Sequence, residues 1–464
     1  MNVRPPIIAV LGHIDHGKTT LLDYIRKTNT ASREKGGITQ AVGAYEIEHN
    51  GKQLTFIDTP GHEAFSVMRG RGASAADIAI LIVAADDGVK PQTKEALEHI
   101  KGAGIPYIVA INKIDLGAAD VEKTKQELLQ AGVYMEGMGG DVPYHPISAK
   151  TGEGVNELLN LVILASEMEE LTYDPEKHGR GIILTSSRDP RRGVTVGVIV
   201  KEGVLHKGDD IFTQTVFGKA KILQNSEGNM IEEVNAGLPA LVFGFKELPK
   251  AGEMWNTEKP PAETQPVQAP REAPDEEITK AILKANEAGS LEALEEFVKK
   301  NAEGKIAIVK SDVGDIHESD IKHAEGMGAI VIGFGTKIDK GAKNLAEGRH
   351  ITILSAPVIY ELGDKIEEYI GVMAKEITGD LLIKATFGKK DGQQVVGGEV
   401  VKGTVKNQQS FIIVQDENKI GSGRILNLQS KREDVAEAVE GQEVGILAEA
   451  DIDIKVGSRL VFEK

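Results

Sequence analysis

The stretch Gly12-His13-Ile14-Asp15-His16-Gly17-Lys18-Thr19 lies between an apolar run, Ile7 to Leu11, and an amphipathic stretch that begins at Thr20. This is the pattern G-x-x-x-x-G-K-T in a strand–loop–helix context, which predicts a phosphate-binding loop. Glycines let the backbone wrap so that successive N–H groups and a helix N-terminus point at one anion. We therefore expect this loop and Thr20 to bind phosphate, with Lys18 on the β- and γ-phosphates and the Thr19 hydroxyl on Mg²⁺. The alternative is a glycine turn with an incidental lysine.

The composition limits the class of protein. A chain of 464 residues has room for about three or four domains. The absence of cysteine excludes disulfides, thiolate metal sites and a cysteine nucleophile, and it fits a reducing, cytoplasmic setting. The net charge of −17 argues against broad nucleic-acid binding, so any RNA contact must be local. No signal peptide is evident, and no apolar run approaches the roughly 18 residues of a membrane span.

Short apolar runs alternate with helical periods from Ile7 to about Met168. This alternation predicts a parallel sheet covered on both faces, with ligands at the carboxyl ends of the strands. The predicted strands that carry the remaining motifs are Leu54–Ile57, Ile78–Ala84, Tyr107–Ile111 and the region from Pro143 to Ile147.

Asp58-Thr59-Pro60-Gly61-His62 follows the strand that ends at Ile57. Asp58 is suited to hold Mg²⁺ through water, and the N–H of Gly61 to contact the γ-phosphate. His62 then lies beside the attacking water and is the candidate catalytic residue; a solvated loop histidine is the alternative. In Gly36-Gly37-Ile38-Thr39, Thr39 is a second candidate hydroxyl for Mg²⁺, and a flexible glycine turn is the alternative.

A base-binding site is predicted at Asn112-Lys113-Ile114-Asp115 and Ser148-Ala149-Lys150, each of which follows a predicted strand. A carboxylate at Asp115 can accept hydrogen bonds from N1–H and the 2-amino group of guanine, which adenine does not offer. Ser148, Ala149 and Lys150 can close over the base. Five motifs in this order make coincidence negligible and indicate a GTP- and GDP-binding protein with Mg²⁺.

These motifs resemble those of the translational GTPases, and Gly12 to Thr19, Gly36-Gly37-Ile38-Thr39-Gln40 and Asp58 to His62 are similar to bacterial translation initiation factor two. Lys284 to Leu294 and Asp312-Val313-Gly314-Asp315-Ile316 resemble the third domain of that family. The resemblance implies ribosome-stimulated GTP hydrolysis, binding of formyl-methionyl initiator tRNA to the small ribosomal subunit, and subunit joining, by a monomer. It also implies a minimal form without the family's N-terminal extension.

The resulting fold class is multidomain, with α/β and β domains. We expect a P-loop GTPase domain at 1–172, an antiparallel β-barrel at 173–256, a Pro-rich linker at 257–275, an α/β sandwich at 276–356, a connecting helix at 357–378 that Pro357 opens, and a C-terminal antiparallel β-barrel at 379–464. One strand of the first barrel is expected at Lys219–Leu223. The arginines of its hairpin loop are either an RNA-backbone contact or a solvated turn: Arg188, Arg191 and Arg192.

The resemblance places the acceptor end of initiator tRNA on the C-terminal barrel, and the candidate residues are Lys431, Arg432, Glu443 and Gly445. The family commonly has a Lys-Arg pair where Gln429-Ser430 stand and cysteines at the positions of Gly398 and Val444. Lys431 and Arg432 take over part of the lost charge or form a solvated turn. Two other functions stay open: a specialised tRNA-delivering elongation GTPase, and a ribosome-tethered regulatory GTPase that does not bind tRNA.

Overall fold

The structure is a computed structural model that describes residues 1–27, 43–61, 63–189, 191–259, 278–302, 304–373, 377–390, 393–415, 418–431 and 433–463. The chain forms two compact units, Met1–Lys365 and Ile366–Lys464. Only residues 257–259 of the expected Pro-rich linker are within the described residues. No helix in the described ranges is long and apolar enough to cross a bilayer.

The first part of the N-terminal unit is a six-stranded sheet in the order β3-β4-β2-β5-β6-β7, with α1 among the helices that pack on it. β2 and β5 are buried along their whole length, because both faces of these central strands are covered. The elements are β1 (Asn2–Val3), β2 (Ile7–Gly12), α1 (Lys18–Arg26), β3 (Gly43–His49), β4 (Lys52–Asp58), a 3₁₀ turn (Glu63–Phe65), α2 (Ser66–Ala75), β5 (Ile78–Ala84), α3 (Pro91–Ala103), β6 (Tyr107–Asn112), α4 (Val121–Gln130), β7 (Tyr144–Pro146), α5 (Val155–Met168) and β8 (Thr172–Tyr173).

The prediction of a wholly parallel sheet is wrong at one edge, because β3 runs antiparallel to β4. The two strands are joined by Asn50-Gly51, and both residues have positive φ, 51° and 74°. Such a pair favours the tight turn of a β-hairpin. The hairpin places β3 beside the strand that ends at Asp58.

The second part is an antiparallel, eight-stranded sheet in the order β13-β12-β18-β9-β10-β17-β14-β15, with a core that includes Trp255. The strand expected at Lys219–Leu223 is two strands, because the chain changes partner from β12 to β17 near Ala220. The elements are β9 (Arg180–Asp189), β10 (Gly193–Glu202), β11 (Val204–His206), β12 (Asp210–Phe212), β13 (Phe217–Lys219), β14 (Ile222–Gln224), β15 (Met230–Ile231), β16 (Glu233–Asn235), β17 (Pro239–Phe243) and β18 (Met254–Asn256).

The third part is a parallel, four-stranded sheet in the order β20-β19-β21-β22. Its helices include α8, which the sequence analysis did not predict and which Asp339 caps by accepting from the N–H of Ala342. The long helix begins at Ile359 and not at Pro357. The elements are β19 (Thr279–Ala285), α6 (Ala288–Asn301), β20 (Ile306–Val313), α7 (Glu318–Met327), β21 (Ala329–Phe334), α8 (Lys340–Arg349), β22 (Ile353–Ala356) and α9 (Ile359–Met373).

Polar contacts join these three parts within the N-terminal unit. The Thr55 hydroxyl donates to the carbonyl of Gly237 at 2.6 Å, which ties the first sheet to the second part. Arg71 of α2 pairs with Glu292 of α6. Glu287, directly before α6, forms a β-bridge with Ser187, and burial raises the pKa of its carboxyl to about 7.

The C-terminal unit contains a closed antiparallel barrel. Its ring is β23-β30-β25-β26-β29-β24, and β24 pairs back to β23. The core includes Leu381, Phe411 and Phe462. The strands are β23 (Ile377–Lys390), β24 (Gln393–Lys406), β25 (Ser410–Gln415), β26 (Asn418–Ser430), β27 (Glu433–Asp434), β28 (Glu437–Val439), β29 (Glu443–Ala450) and β30 (Arg459–Glu463). The predicted fold class, multidomain with α/β and β domains, is confirmed.

Candidate nucleotide-binding site

The phosphate loop connects β2 to α1 at the carboxyl edge of the first sheet. Gly12 and Gly17 have φ of 154° and 95°, and a Cβ at either would collide, with the carbonyl of Ile82 or the side-chain amide of Asn112. Glycine is therefore required at both positions. α1 begins at Lys18, so Thr19 and Thr20 lie in its first turn. The loop presents a helix N-terminus to an anion, as the sequence predicts.

Lys18 is folded back over the loop. Its Nζ donates to the carbonyl oxygens of Gly12 at 2.9 Å and His13 at 2.7 Å. Burial lowers the pKa of Lys18 to about 8, against the opposing effect of the Asp58 and Asp15 carboxylates. A phosphate placed on this ammonium would favour its charged form, so anion binding and protonation of Lys18 are coupled.

The end of β4 meets the phosphate loop. Asp58 is the strand partner of Val10, and the Thr59 hydroxyl donates to the Val10 carbonyl at 2.8 Å. A Cβ at Gly61 would collide with Nζ of Lys18, so this glycine lies directly against the lysine. The predicted roles of Thr39 and His62 concern positions outside the described residues.

Arg69 and Glu95 were not identified from the sequence. The buried guanidinium of Arg69 donates to the carbonyl of Pro60 at 3.2 Å and to Oε1 of Glu95 at 2.6 Å. This pair therefore holds the backbone at Pro60, the residue before Gly61. Neither residue belongs to a local motif, since α2 and α3 bring them together only in the folded chain.

The predicted base-binding loops are joined through Asn112. Its amide nitrogen donates to the carbonyl of His16 at 2.8 Å, and its Oδ1 accepts from the N–H of Ala149 at 2.9 Å. The Ser148 hydroxyl donates to Oδ1 of Asp115 at 2.7 Å. Asp115 is exposed and can face a base; Lys150 is exposed as well, and Lys113 lies 3.5 Å from Asp86.

A second set of contacts holds the phosphate loop from the side of β5. His16 is buried and lies 3.4 Å from the Asp87 carboxylate, its ring edge-on to that of His13. Burial lowers the pKa of His16 to about 4, so the ring is neutral at physiological pH. The Ile14 N–H donates to Gln92 at 3.2 Å. Asp87 and Gln92 follow β5, and the rule that ligand-binding residues follow parallel strands could have identified them.

The candidate tRNA site is a face of the C-terminal barrel, called here the barrel face: Gln429, Ser430, Lys431, Glu443 and Gly445. Gln429 is the strand partner of Gly445, and a Cβ at Gly445 would meet open space. Glu443 is exposed and lies 3.5 Å from Lys384. Lys431 is exposed with a φ of 53°. Arg432 is outside the described ranges.

The two positions at which the family commonly has cysteine are neighbours in the fold. Gly398 of β24 is the strand partner of Val444 of β29. A Cβ at Gly398 would collide with the carbonyl of Leu382, so this backbone leaves no room for a side chain. Val444 is buried in the barrel core.

The phosphate loop, the turn from Asp58 to Gly61 and the Asn112 loop, together at one sheet edge, define a P-loop GTPase. The chain matches the family models for the elongation factor Tu GTP binding domain over residues 4–167, elongation factor G domain 2 over 178–257, and translation-initiation factor 2 over 257–367. The class is that of the translational GTPases, which hydrolyse GTP, and the predicted binding of guanine nucleotide is confirmed at the level of this class.

Curated relatives give the family. Translation initiation factor IF-2 of Rubrobacter xylanophilus is 39% identical over 99% of this chain and 71% of its own length. That of Bacillus subtilis is 37% identical over 99% and 69%. That of Persephonella marina is 41% identical over 98%, and this chain spans 55% of it. The chain belongs to the translation initiation factor IF-2 family. A crystal structure of GDP-bound aIF5B from Aeropyrum pernix, 26% identical, covers 99% of this chain and 92% of its own with a TM-score of 0.47.

Proposed function

We propose that this protein is a GTP-hydrolysing translation initiation factor that promotes binding of formyl-methionyl initiator tRNA to the small ribosomal subunit and subunit joining. The observation that carries the proposal is the side-chain amide of Asn112, which joins the phosphate loop to the base-binding loop. The chain that carries this site belongs to a family of initiation factors. Ribosome assembly triggers hydrolysis, and the GDP-bound product dissociates.

The phosphate-binding role rests on groups that are already in place. Backbone N–H groups from Gly12 to Thr20 surround the anion at the start of α1, and Lys18 leaves the loop carbonyls for the β- and γ-phosphates. The Gly61 N–H contacts the γ-phosphate, since this residue lies against Lys18. The γ-phosphate thereby connects the end of β4 to the phosphate loop.

Mg²⁺ fits the donor set at this edge. The Thr19 hydroxyl and, through water, the Asp58 carboxylate supply hard oxygen donors, and Mg²⁺ in nucleotide sites keeps several waters beside a few protein oxygens and the phosphates. Thr39 is the proposed third protein ligand. When bound, Mg²⁺ neutralises phosphate charge. The Asp58 carboxylate acts on Lys18 to raise the pKa of the lysine, which favours its charged form.

Guanine specificity is assigned to Asp115 and its neighbours. The Ser148 hydroxyl occupies one side of the Asp115 carboxylate at 2.7 Å, which orients the other for the N1–H and 2-amino donors of guanine. Lys113, with a φ of 66°, and Ala149 and Lys150 complete the pocket around the base. Adenine would leave the carboxylate unpaired, which discriminates strongly.

Hydrolysis is assigned to His62, which orients the attacking water once the ribosome has closed the site. We expect His62→Ala to keep GTP affinity within a few-fold and to lose ribosome-stimulated turnover. Isolated GTPases of this kind are slow, roughly 10⁻⁴ to 10⁻² s⁻¹, so the stimulated rate is the informative one. The measurement is single-turnover hydrolysis with assembled subunits.

His49→Ala is the matched control for this variant, because His49 is a partly exposed histidine in the same domain whose side chain hydrogen-bonds only Asn160 and Asn50 among the described residues. It should keep the full stimulated rate. A His62→Ala protein that retains most of the stimulated rate would remove His62 from the mechanism.

The tRNA-binding role is assigned to the barrel face and to Arg432, which follows Lys431 in the sequence. Titration of the full chain with formyl-methionyl-tRNA, in the presence of GTP, against an elongator tRNA tests it. We expect preference for the blocked aminoacyl end. No preference would favour a ribosome-tethered GTPase that does not bind tRNA, and preference for elongator tRNA would favour a tRNA-delivering elongation GTPase.

A further inference from the structure

Tyr45, in the middle of β3, is buried at the boundary between the hydrophobic core and the nucleotide edge. It is 5% exposed and packs with Leu21 and Leu22 of α1. Its strand partner is Phe56, and the two rings stack with centroids 5.9 Å apart and 17° between their planes. The Arg26 guanidinium lies 4.4 Å from the ring centroid. The ring therefore contacts both an aromatic ring and a guanidinium group.

The hydroxyl of this ring is buried and unpaired among the described residues. Solvent does not reach the Tyr45 oxygen, and among the described residues it has no hydrogen-bond partner. No other described tyrosine has a buried hydroxyl in this condition. Burying an unpaired hydroxyl costs free energy, and phenylalanine would fill the same space without that cost. The hydroxyl thus indicates a partner that is not among the described residues.

The position of Tyr45 on β3 shows where that partner binds. Gly43 is the strand partner of Asp58 and Tyr45 that of Phe56, two residues earlier on β4. Side chains two residues apart on a strand share a face, so Tyr45 and Asp58 project to the same side of the sheet, the side covered by α1. On α1, Thr19 lies one turn before Asp23. Burial, then the Asp58 charge, raises the pKa of Tyr45 far above its ordinary value, and Asp23 adds to this. The hydroxyl therefore stays a donor.

We propose that Tyr45 is a positioning residue of the Mg²⁺-nucleotide site, whose hydroxyl donates to the Asp58 carboxylate when Mg²⁺ is present. This inference rests on the proposed assignment of Mg²⁺ to Thr19 and Asp58. It gives β3 a function, because a hydrogen bond from Tyr45 holds the end of β4 in the position that the metal requires. In the Mg²⁺-bound protein, this hydrogen bond gives the buried Tyr45 hydroxyl an acceptor.

The test uses the full chain and Tyr45→Phe, which removes the hydroxyl alone. Release of a fluorescent GDP is measured in excess Mg²⁺ and in excess chelator, and urea unfolding is measured without nucleotide. We expect release about tenfold faster in Mg²⁺ but unchanged in chelator, since one hydrogen bond to a charged group is lost; tenfold corresponds to about 1.4 kcal/mol. The nucleotide-free variant should be as stable as the wild type or more stable.

Tyr173→Phe is the matched control, because Tyr173 is also buried but lies in the two-stranded sheet β1-β8 and packs in the core of the second part. It should change neither release rate. In an Asp58→Asn background, Tyr45→Phe should have no further effect on release in Mg²⁺. Equal acceleration by Tyr45→Phe with and without Mg²⁺, or no acceleration, would overturn the inference. Wild-type release that does not depend on Mg²⁺ would overturn the Mg²⁺ assignment as well.

Discussion

The nucleotide edge of the N-terminal unit and the barrel face of the C-terminal unit differ in how their polar groups are arranged. At the nucleotide edge, Asn112 is 2% exposed and already hydrogen-bonded to two loops. On the barrel face, Lys431 and Glu443 are exposed. Preorganised, buried groups discriminate between ligands by hydrogen-bond pattern, whereas exposed charges give salt-dependent attraction. Substitutions at the nucleotide edge should therefore change which nucleotide binds. Substitutions on the barrel face should change the affinity for RNA, and only modestly.

The largest effect is expected from Asp115→Asn. The amide would pair with the 2-carbonyl of xanthine where the carboxylate accepted from the 2-amino group of guanine. We expect the preference for GTP over xanthosine triphosphate to change by roughly three orders of magnitude. A competition titration with both nucleotides measures it.

Asp86→Asn is the control for this substitution, since it removes a carboxylate at the same edge that pairs with Lys113 at 3.5 Å. It should leave the base preference unchanged. If Asp115→Asn binds GTP with its original preference, Asp115 is not in the base pocket, and the contrast between the two regions loses its main support.

The second prediction compares the acid response of the two units. His16 has a pKa of about 4 when folded against an ordinary 6.5, so the unfolded chain binds the extra proton and stability falls as the pH drops below 6.5. Glu287 acts in the opposite direction: its folded pKa of about 7, against 4.5, makes stability rise as the pH falls from 7. Glu287→Gln removes this opposing carboxyl, and the His16 effect that it offset amounts to about 2 to 3 kcal/mol by pH 4.

Hydrogen exchange of the nucleotide-free protein at several pH values, corrected for intrinsic rates, measures this response. Peptides of the phosphate loop in Glu287→Gln should lose protection between pH 6.5 and 4. Barrel peptides should not, because the barrel groups with lowered pKa are exposed carboxyls that titrate below this range: Asp434 and Asp451. An identical pH response in Glu287→Gln and wild type would show that the two groups do not oppose each other.

The smallest effect is expected on the barrel face. Lys431→Glu should weaken binding of a formyl-methionyl-tRNA end several-fold and reduce the salt dependence by a slope of roughly 0.7 per lost phosphate contact. Titration at two salt concentrations measures both. Lys402→Glu, an exposed lysine whose strand partner is Asp380, is the control. Equal effects of the two variants would mean that only net charge matters there.

Candidate site residues could be predicted from the sequence where the chemistry of nucleotide binding requires a fixed spacing along the chain. Gly12 to Thr19, Asp58 to Gly61 and Asn112 to Asp115 are local patterns, and the strands that end before them were predicted to within a few residues. Arg69, Gln92 and Tyr45 were missed because their contacts form only when separate elements pack together: Arg69 with Glu95, Gln92 with Ile14, and Tyr45 with Arg26. Asn50-Gly51 did carry a hairpin signal for β3. α8 was not predicted because it contains Gly341 and Gly348, and glycine is a poor helix former.

The closed ring of the C-terminal barrel affects how readily this unit can aggregate by strand addition. A sheet that ends in an edge strand offers unpaired N–H and C=O groups, to which a nascent chain or a second copy can add a strand. The six strands from β23 to β30 that form the ring pair with one another all the way round. The ring itself therefore offers no free edge for strand addition, and the edges among the described residues of this unit are the short strands β27 and β28, which pair with β26 and β24.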